Sequence, residues 1–151
     1  MYIAAGAIAV LLILALVWLF ATIDDWSRDL TTNFAATSAT AKNPSLHPII
    51  SENPSSELAD LVVAAAKQLL GWELAVREEN GAETTLRFVR TTRVMRFKDD
   101  ITVHIRPIKS NGDTPHYEIS AESQSRVGKG DFGQNPRNLV ELMDTLRGLL
   151  R

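Results

Sequence analysis

The chain has 151 residues, 16 basic and 18 acidic side chains and no cysteine. That is room for one domain with appendages. The near balance of charge gives no reason to expect a nucleic-acid partner. The missing thiols exclude disulfides, thiolate catalysis and cysteine-based zinc sites.

No charge occurs before Asp24. Ile3 to Ile23 is apolar apart from Thr22, and as a helix it would be roughly 31 Å long, the thickness of a bilayer's hydrocarbon core. Tyr2 at one end and Trp18 and Trp26 near the other fit interfacial aromatic belts. A cleaved leader fits less well. The basic start is missing, the apolar run is too long, and the small-x-small site Ala39-Thr40-Ala41 lies far downstream. The expectation is a single-pass transmembrane anchor over residues 1–24, with the lipid bilayer as its partner. Arg28 and Lys42 follow the span and lean toward a cytoplasmic C-terminus. Residues 25–54 hold Pro44, Pro48 and Pro54 and a Thr- and Ala-rich stretch, and read as an extended tether. The soluble domain is then 55–151.

Leu58, Leu61, Val62, Ala65 and Leu69 recur at spacings of three and four, which predicts a helix over 55–70 stopped by Gly71. Trp72, Leu74 and Val76 alternate with Glu73, Ala75 and Arg77, as in a half-buried strand. A three-residue loop, Glu79-Asn80-Gly81, would pair Trp72 with Phe88 and Leu74 with Leu86. It would also set Glu73 against Arg87 and Arg77 against Glu83. The same loop type at Ser110-Asn111-Gly112 would pair Ile105 with Tyr117, Val103 with Ile119 and Pro107 with Pro115. Asn135-Pro136 reads as an N-cap followed by proline at the first helical position. Leu139, Leu142, Met143, Leu146, Leu149 and Leu150 continue that helix as an apolar stripe. The expected fold class is α+β: a two-layer domain of order α-β-β-β-β-α, with an antiparallel sheet of two hairpins covered by two helices.

Residues 124–138 join the last strand to the last helix and hold the densest set of unusual residues. Gly128 to Gly133 fits the spacing G-x-G-x-x-G. Hairpin-paired strands and a chain that stops after one helix leave no second βαβ unit, so a dinucleotide site is rejected. Two readings remain: a tight turn needing positive φ, or an anion site built from loop N–H groups, the helix start, Arg126 and Lys129. The candidate ligand or structural cluster is Asp99, Asp100, Arg126, Lys129, Asp131, Asn135 and Arg137, with Arg126 pairing Asp99, Asp100 or Asp131.

Asp99 and Asp100 would point to opposite faces if they open a strand, which argues against a shared proton. His104, His116 and Glu118 fall on the polar sheet face, with His104 opposite Glu118 in the expected register. That set could hold a metal, but an exposed polar face explains it as well. Between Arg90 and Lys98, four cations interleave with Val94, Met95 and Phe97. The segment suits either a solvated strand pair or contact with anionic lipid headgroups. No catalytic residue, metal site or cofactor is assigned. A binding or interaction module at the membrane surface is preferred, with an anionic lipid or small anionic ligand as partner. A hydrolase or metal-dependent enzyme using the Asp pair or the histidines is the alternative.

With Asp29-Leu30-Thr31-Thr32, Arg96-Phe97-Lys98-Asp99-Asp100, Ser125-Arg126-Val127-Gly128, Asp131-Phe132-Gly133, Asn135 and Arg137 in view, the chain resembles the bacterial and plastid family known as domain of unknown function 1499. The resemblance spans residues 29–151. Phe132 and Leu139 depart mildly from its pattern, which often has Leu and Ile there. It implies a membrane-tethered or exported domain, and so an extracytoplasmic placement, and supplies no reaction or catalytic residue.

Overall fold

Alternating apolar and polar residues build a six-stranded antiparallel sheet, and two amphipathic helices cover one of its faces. The computed structural model describes Gly6, Ile8, Val10, Leu11, Ile13, Leu14 and Val17, together with residues 32–109, 115–128, 130 and 133–151. In chain order the elements are β1 (Phe34–Ala36), a 3₁₀ turn (Pro44–Leu46), β2 (Ile49–Ser51), α1 (Ser55–Gln68), β3 (Trp72–Asn80), β4 (Glu83–Thr91), β5 (Lys98–Ile108), β6 (His116–Ser125) and α2 (Gln134–Leu149). The sheet runs β1-β6-β5-β4-β3, and β2 also pairs with β6.

Register arranges the covered face in rows. Phe88 lies beside Ile101, which lies beside Ser123; Leu86, Val103 and Ala121 form the next row; Thr84, Ile105 and Ile119 form the one after. Ile49 of β2 extends this last row. Leu58, Ala59, Val62, Ala65 and Ala66 of α1 pack with these rows in one core, as do Leu139, Leu142, Met143 and Leu146 of α2. Burying each large apolar side chain stabilises the fold by about 1.5–3 kcal/mol. Trp72 meets Phe88 edge-on, with ring centroids 6.0 Å apart, a favoured aromatic geometry.

The structure corrects the expected fold class. The order α-β-β-β-β-α omits β1 and β2, which lie in the stretch read as tether. Their pairing along β6 covers an edge that would otherwise expose unpaired backbone groups. The segment between them is fastened to α2. Arg147 donates from Nη1 to the Ser45 carbonyl (3.0 Å) and from Nη2 to the His47 carbonyl (2.7 Å), and Ser45 Oγ donates to Asp144 Oδ2 (3.0 Å).

The transmembrane expectation is corrected as well. Among the described residues no helix is long and apolar enough to cross a membrane. Most of the stretch from Ile3 to Ile23 lies outside them. The single-pass placement read from this span, and the extracytoplasmic one that the family resemblance implied, therefore have no structural basis.

Both hairpin registers also differ from expectation. The first closes on Gly81-Ala82, with Asn80 opposite Glu83 and Gly81 at φ +63°. A bulge between Leu74 and Val76 then brings Trp72 opposite Arg90 and Leu74 opposite Phe88. The bulge keeps the faces aligned, which a plain two-residue turn would not. In the second, Ile105 faces Ile119, Val103 faces Ala121 and Pro107 faces Tyr117. That is an even shift from the expected pairs, so every side chain keeps its face. The loop residues 110–114 lie outside the described residues.

The junction of α1 and β3 is tight. Gly71 has φ +81°, and a Cβ there would sit 2.5 Å from the carbonyl oxygen of Thr91. The Gly71 carbonyl accepts from the Thr91 N–H at 2.9 Å. Gly71→Ala combines left-handed strain with a backbone clash and is expected to destabilise the domain by about 1–3 kcal/mol, read as a lower urea midpoint with an unchanged m-value.

Candidate functional site

At one end of the covered face the rows turn polar. Arg90 of β4 lies beside Asp99 of β5, which lies beside Ser125 of β6. The buried stripe of α2 begins on Asn135 and Asn138 before it becomes apolar at Leu139. The polar start of the helix therefore lies over the polar row. The helix opens after Gly133, at φ +74°, and Gln134 is its first residue. Asn135 is thus inside the helix and not its N-cap, as the Asn-Pro pair had suggested. Pro136 at the third position is tolerated because its missing N–H has no helical acceptor there.

Buried hydrogen bonds tie the junction together. Asn138 Nδ2 donates to Asp99 Oδ2 and to Ser123 Oγ, both at 3.0 Å. Its Oδ1 accepts from Gln134 Nε2 at 2.7 Å and from Arg90 Nη1. Ser123 Oγ donates to Asn135 Oδ1 at 2.6 Å. Asn135 Nδ2 reaches Ser125 Oγ (3.1 Å) and the Asn33 carbonyl (2.7 Å), which also takes the Ser125 N–H (2.9 Å). Asp99 is 1% exposed. A carboxylate so deep is tolerated because it is hydrogen-bonded near the positive end of a helix. Arg90 Nη2 lies 3.3 Å from Glu141 Oε2. Arg90 Nε and Trp72 Nε1 are buried without a partner among the described residues.

Of the residues singled out from sequence, Asp99 and Asn135 belong to this network. Asp100 faces the opposite side of the sheet, where Arg126 grips it with Nε (2.8 Å) and Nη2 (2.6 Å). This bidentate pair, half exposed, raises the Arg126 pKa above its ordinary value, chiefly through the hydrogen bonds to Asp100. Arg137 is half-buried beside Gln134, with Nη2 3.5 Å from Gln134 Oε1. Lys129 and Asp131 lie outside the described residues. Sequence reasoning missed Asn33, Ser123, Ser125 and Asn138, and placed Arg90 in a basic surface segment. The available signal was the i, i+3 pair Asn135 and Asn138 on a face that then runs apolar.

The residues of the enzyme alternative are not assembled. Asp99 and Asp100 point to opposite faces. His104 lies across from Ser120, Glu118 across from Arg106, and His116 Nε2 is 3.3 Å from Glu52 Oε1. Among the described residues no three His, Cys, Asp or Glu side chains are grouped to hold a metal. His104 and Arg106 line a shallow depression of about 250 Å3 on the open sheet face, with Ala36, Thr37, Ser120 and Glu122. Partial burial, followed by the charge of Arg106, pushes the His104 pKa below its ordinary value.

The same end of the sheet carries exposed apolar residues. Val94 is 87% exposed, Met95 66%, Phe97 47%, Val127 64% and Leu70 62%. They come from three separate connections. Thr91 pairs with Lys98, the Thr91 N–H donates to the Gly71 carbonyl, and the Arg126 N–H donates to the Lys98 carbonyl at 3.0 Å. Arg93 to Arg96 form a four-residue loop. Its base is closed by the Thr92 N–H on the Phe97 carbonyl and the Phe97 N–H on Thr92 Oγ1, each at 2.9 Å. Arg96 adopts φ +57°, the only positive φ at a non-glycine among the described residues.

Three expectations follow. Asn138→Leu leaves the Asp99 carboxylate buried without its donor and should cost about 2–4 kcal/mol in chemical denaturation. Arg126→Ala removes a solvent-screened pair and should leave the thermal melt nearly unchanged. The third concerns pH. A histidine whose folded pKa is depressed binds its proton less readily in the folded state than in the unfolded one. Stability from His104 is therefore present above the ordinary imidazole pKa of about 6.5 and declines as pH falls through it. His104→Gln should flatten the slope of unfolding free energy between about pH 7 and pH 5.

No curated protein and no solved structure matches the chain. The family model described as a protein of unknown function (DUF1499) matches residues 25–146, a stretch that takes in all six strands and the buried network, and the chain belongs to that family.

Proposed function

We propose that the domain is a binding module that makes its contact through the loop end of the sheet. One observation carries the reading: Leu70, Val94, Met95, Phe97 and Val127 converge there, from three connections, with their side chains in solvent. A folded domain gains no stability from such a cluster, and exposed apolar patches of this kind mark interaction sites. The network beneath it supports the reading. Asp99, Ser125 and Asn138 fix the strands from which the loops spring, so the tip is held in one geometry and little ordering entropy is lost on contact.

Because the chain has no cysteine, one introduced thiol reports on one place. Val94→Cys is expected to be shielded from a membrane-permeant maleimide in intact cells making the full chain, and to label freely after purification. Glu79→Cys, at the opposite end of the sheet, should label in both. Equal labelling of position 94 in cells and in the purified protein would sink the proposal.

A further inference from the structure

We infer that the partner met by this tip is an anionic lipid bilayer surface, an assignment that rests on the tip being a contact surface. The loop reads Arg93-Val94-Met95-Arg96: two apolar side chains at the apex, bracketed by two guanidinium groups. It leaves Val94 and Met95 largely in solvent and is closed at its base by the Thr92–Phe97 hydrogen bonds. Lys98 follows Phe97 at the mouth of the strand. Arg93, Arg96 and Lys98 make no ion pair among the described residues. The two acids at the start of β5 do not offset them, since Asp99 is buried against Asn138 and Asp100 is engaged by Arg126.

The interleaving decides between partners. A protein groove that took up Val94 and Met95 would have to supply placed acidic or carbonyl partners for both flanking guanidinium groups, since a charge buried without a partner is costly. At a bilayer the two kinds of side chain separate by depth. The apolar ones enter the acyl boundary and the cations stay at headgroup level, where phosphates meet them. Phe97, Val127 and Leu70 widen the apolar footprint behind the apex. Each cation at an anionic surface improves partition about fivefold, and no acidic side chain of the loop opposes it.

The test uses the purified full chain carrying Val94→Cys with an environment-sensitive fluorophore, mixed with vesicles. The label reports on the tip itself and not on attachment elsewhere in the chain. With an equal mixture of phosphatidylglycerol and phosphatidylcholine, emission should shift to shorter wavelength and strengthen. Phosphatidylcholine alone should give little response, and raised salt should weaken the signal. Adding Arg93→Glu and Arg96→Glu should raise the lipid concentration needed by at least about 25-fold. Arg93→Glu with Lys98→Glu gives a second variant that leaves the positive-φ position untouched. A label on Glu79→Cys should not respond. An equal response to phosphatidylcholine alone, or charge-reversed variants that bind as well as the parent, would overturn the lipid assignment. So would silence on both vesicles while position 94 stays shielded in cells. In that last case the binding module stands with a protein partner. Position 94 unshielded in cells defeats the binding reading itself.

Discussion

The hydrogen bonds from Asn138 to Asp99 and Ser123 are what the loop end of this domain depends on. An antiparallel sheet covered by helices normally buries an apolar face from end to end. Here the last row of that face runs from Trp72 through Arg90 and Asp99 to Ser125, and its last three members are polar. Such a row folds only if the covering element is polar at the same place. Helix α2 meets the condition through the i, i+3 pair Asn135 and Asn138, then returns to Leu139, Leu142, Met143 and Leu146. One amide thus serves as donor to a carboxylate and a hydroxyl, and as acceptor from an arginine and a glutamine. Each group satisfied there would otherwise cost on the order of 1–3 kcal/mol if left buried and unpaired.

The arrangement fixes more than stability. An apolar row tolerates sliding of a helix along it, because dispersion contacts are weakly directional. A row of directional hydrogen bonds sets the axial position of α2. It also captures the start of β1, since the Asn33 carbonyl accepts from both Asn135 and the Ser125 N–H. The two short strands on the far side of β6 are then clamped at both ends, by Asn135 near β1 and by Arg147 before β2. This explains how three-residue strands persist. Strands that short add little by themselves, and side chains from α2 hold them in register.

How much of this could be read from the sequence differs by element. The long strands and both helices announce themselves by period, and the even register shift of the second hairpin shows why. The faces follow from alternation alone, while the partner residues depend on loop geometry that alternation does not encode. In the first hairpin the bulge at Leu74 to Val76 is invisible in composition. It appears only when the Trp72–Phe88 contact has to be reconciled with a turn at Gly81-Ala82. Phe34–Ala36 and Ile49–Ser51 are too short to carry a periodic signal, and nearby prolines mask them as linker. Asn135-Pro136 looks like a helix start because that pair usually is one. The helix begins two residues earlier, at Gln134 and not Pro136, and the Asn135 side chain is engaged with Ser123, Ser125 and Asn33.

A polar junction at this end also bears on what the loops there are for. Were the last row apolar, Val94, Met95, Phe97, Val127 and Leu70 would have a core to fold back on, and the loops would collapse over it. A charged and hydrogen-bonded row offers no such refuge, because Asp99 is already buried beneath Asn138 and Arg90 would lose the little solvation it keeps. The short closure at Thr92 and Phe97, with the left-handed backbone at Arg96, holds the apex away from the body at a strain cost of about 1–3 kcal/mol. An outlier of that kind persists where surrounding hydrogen bonds over-determine it, and here they do. The same polar row that positions α2 therefore keeps the apolar tip in solvent, so the clasp and the contact surface are two consequences of one choice of residues.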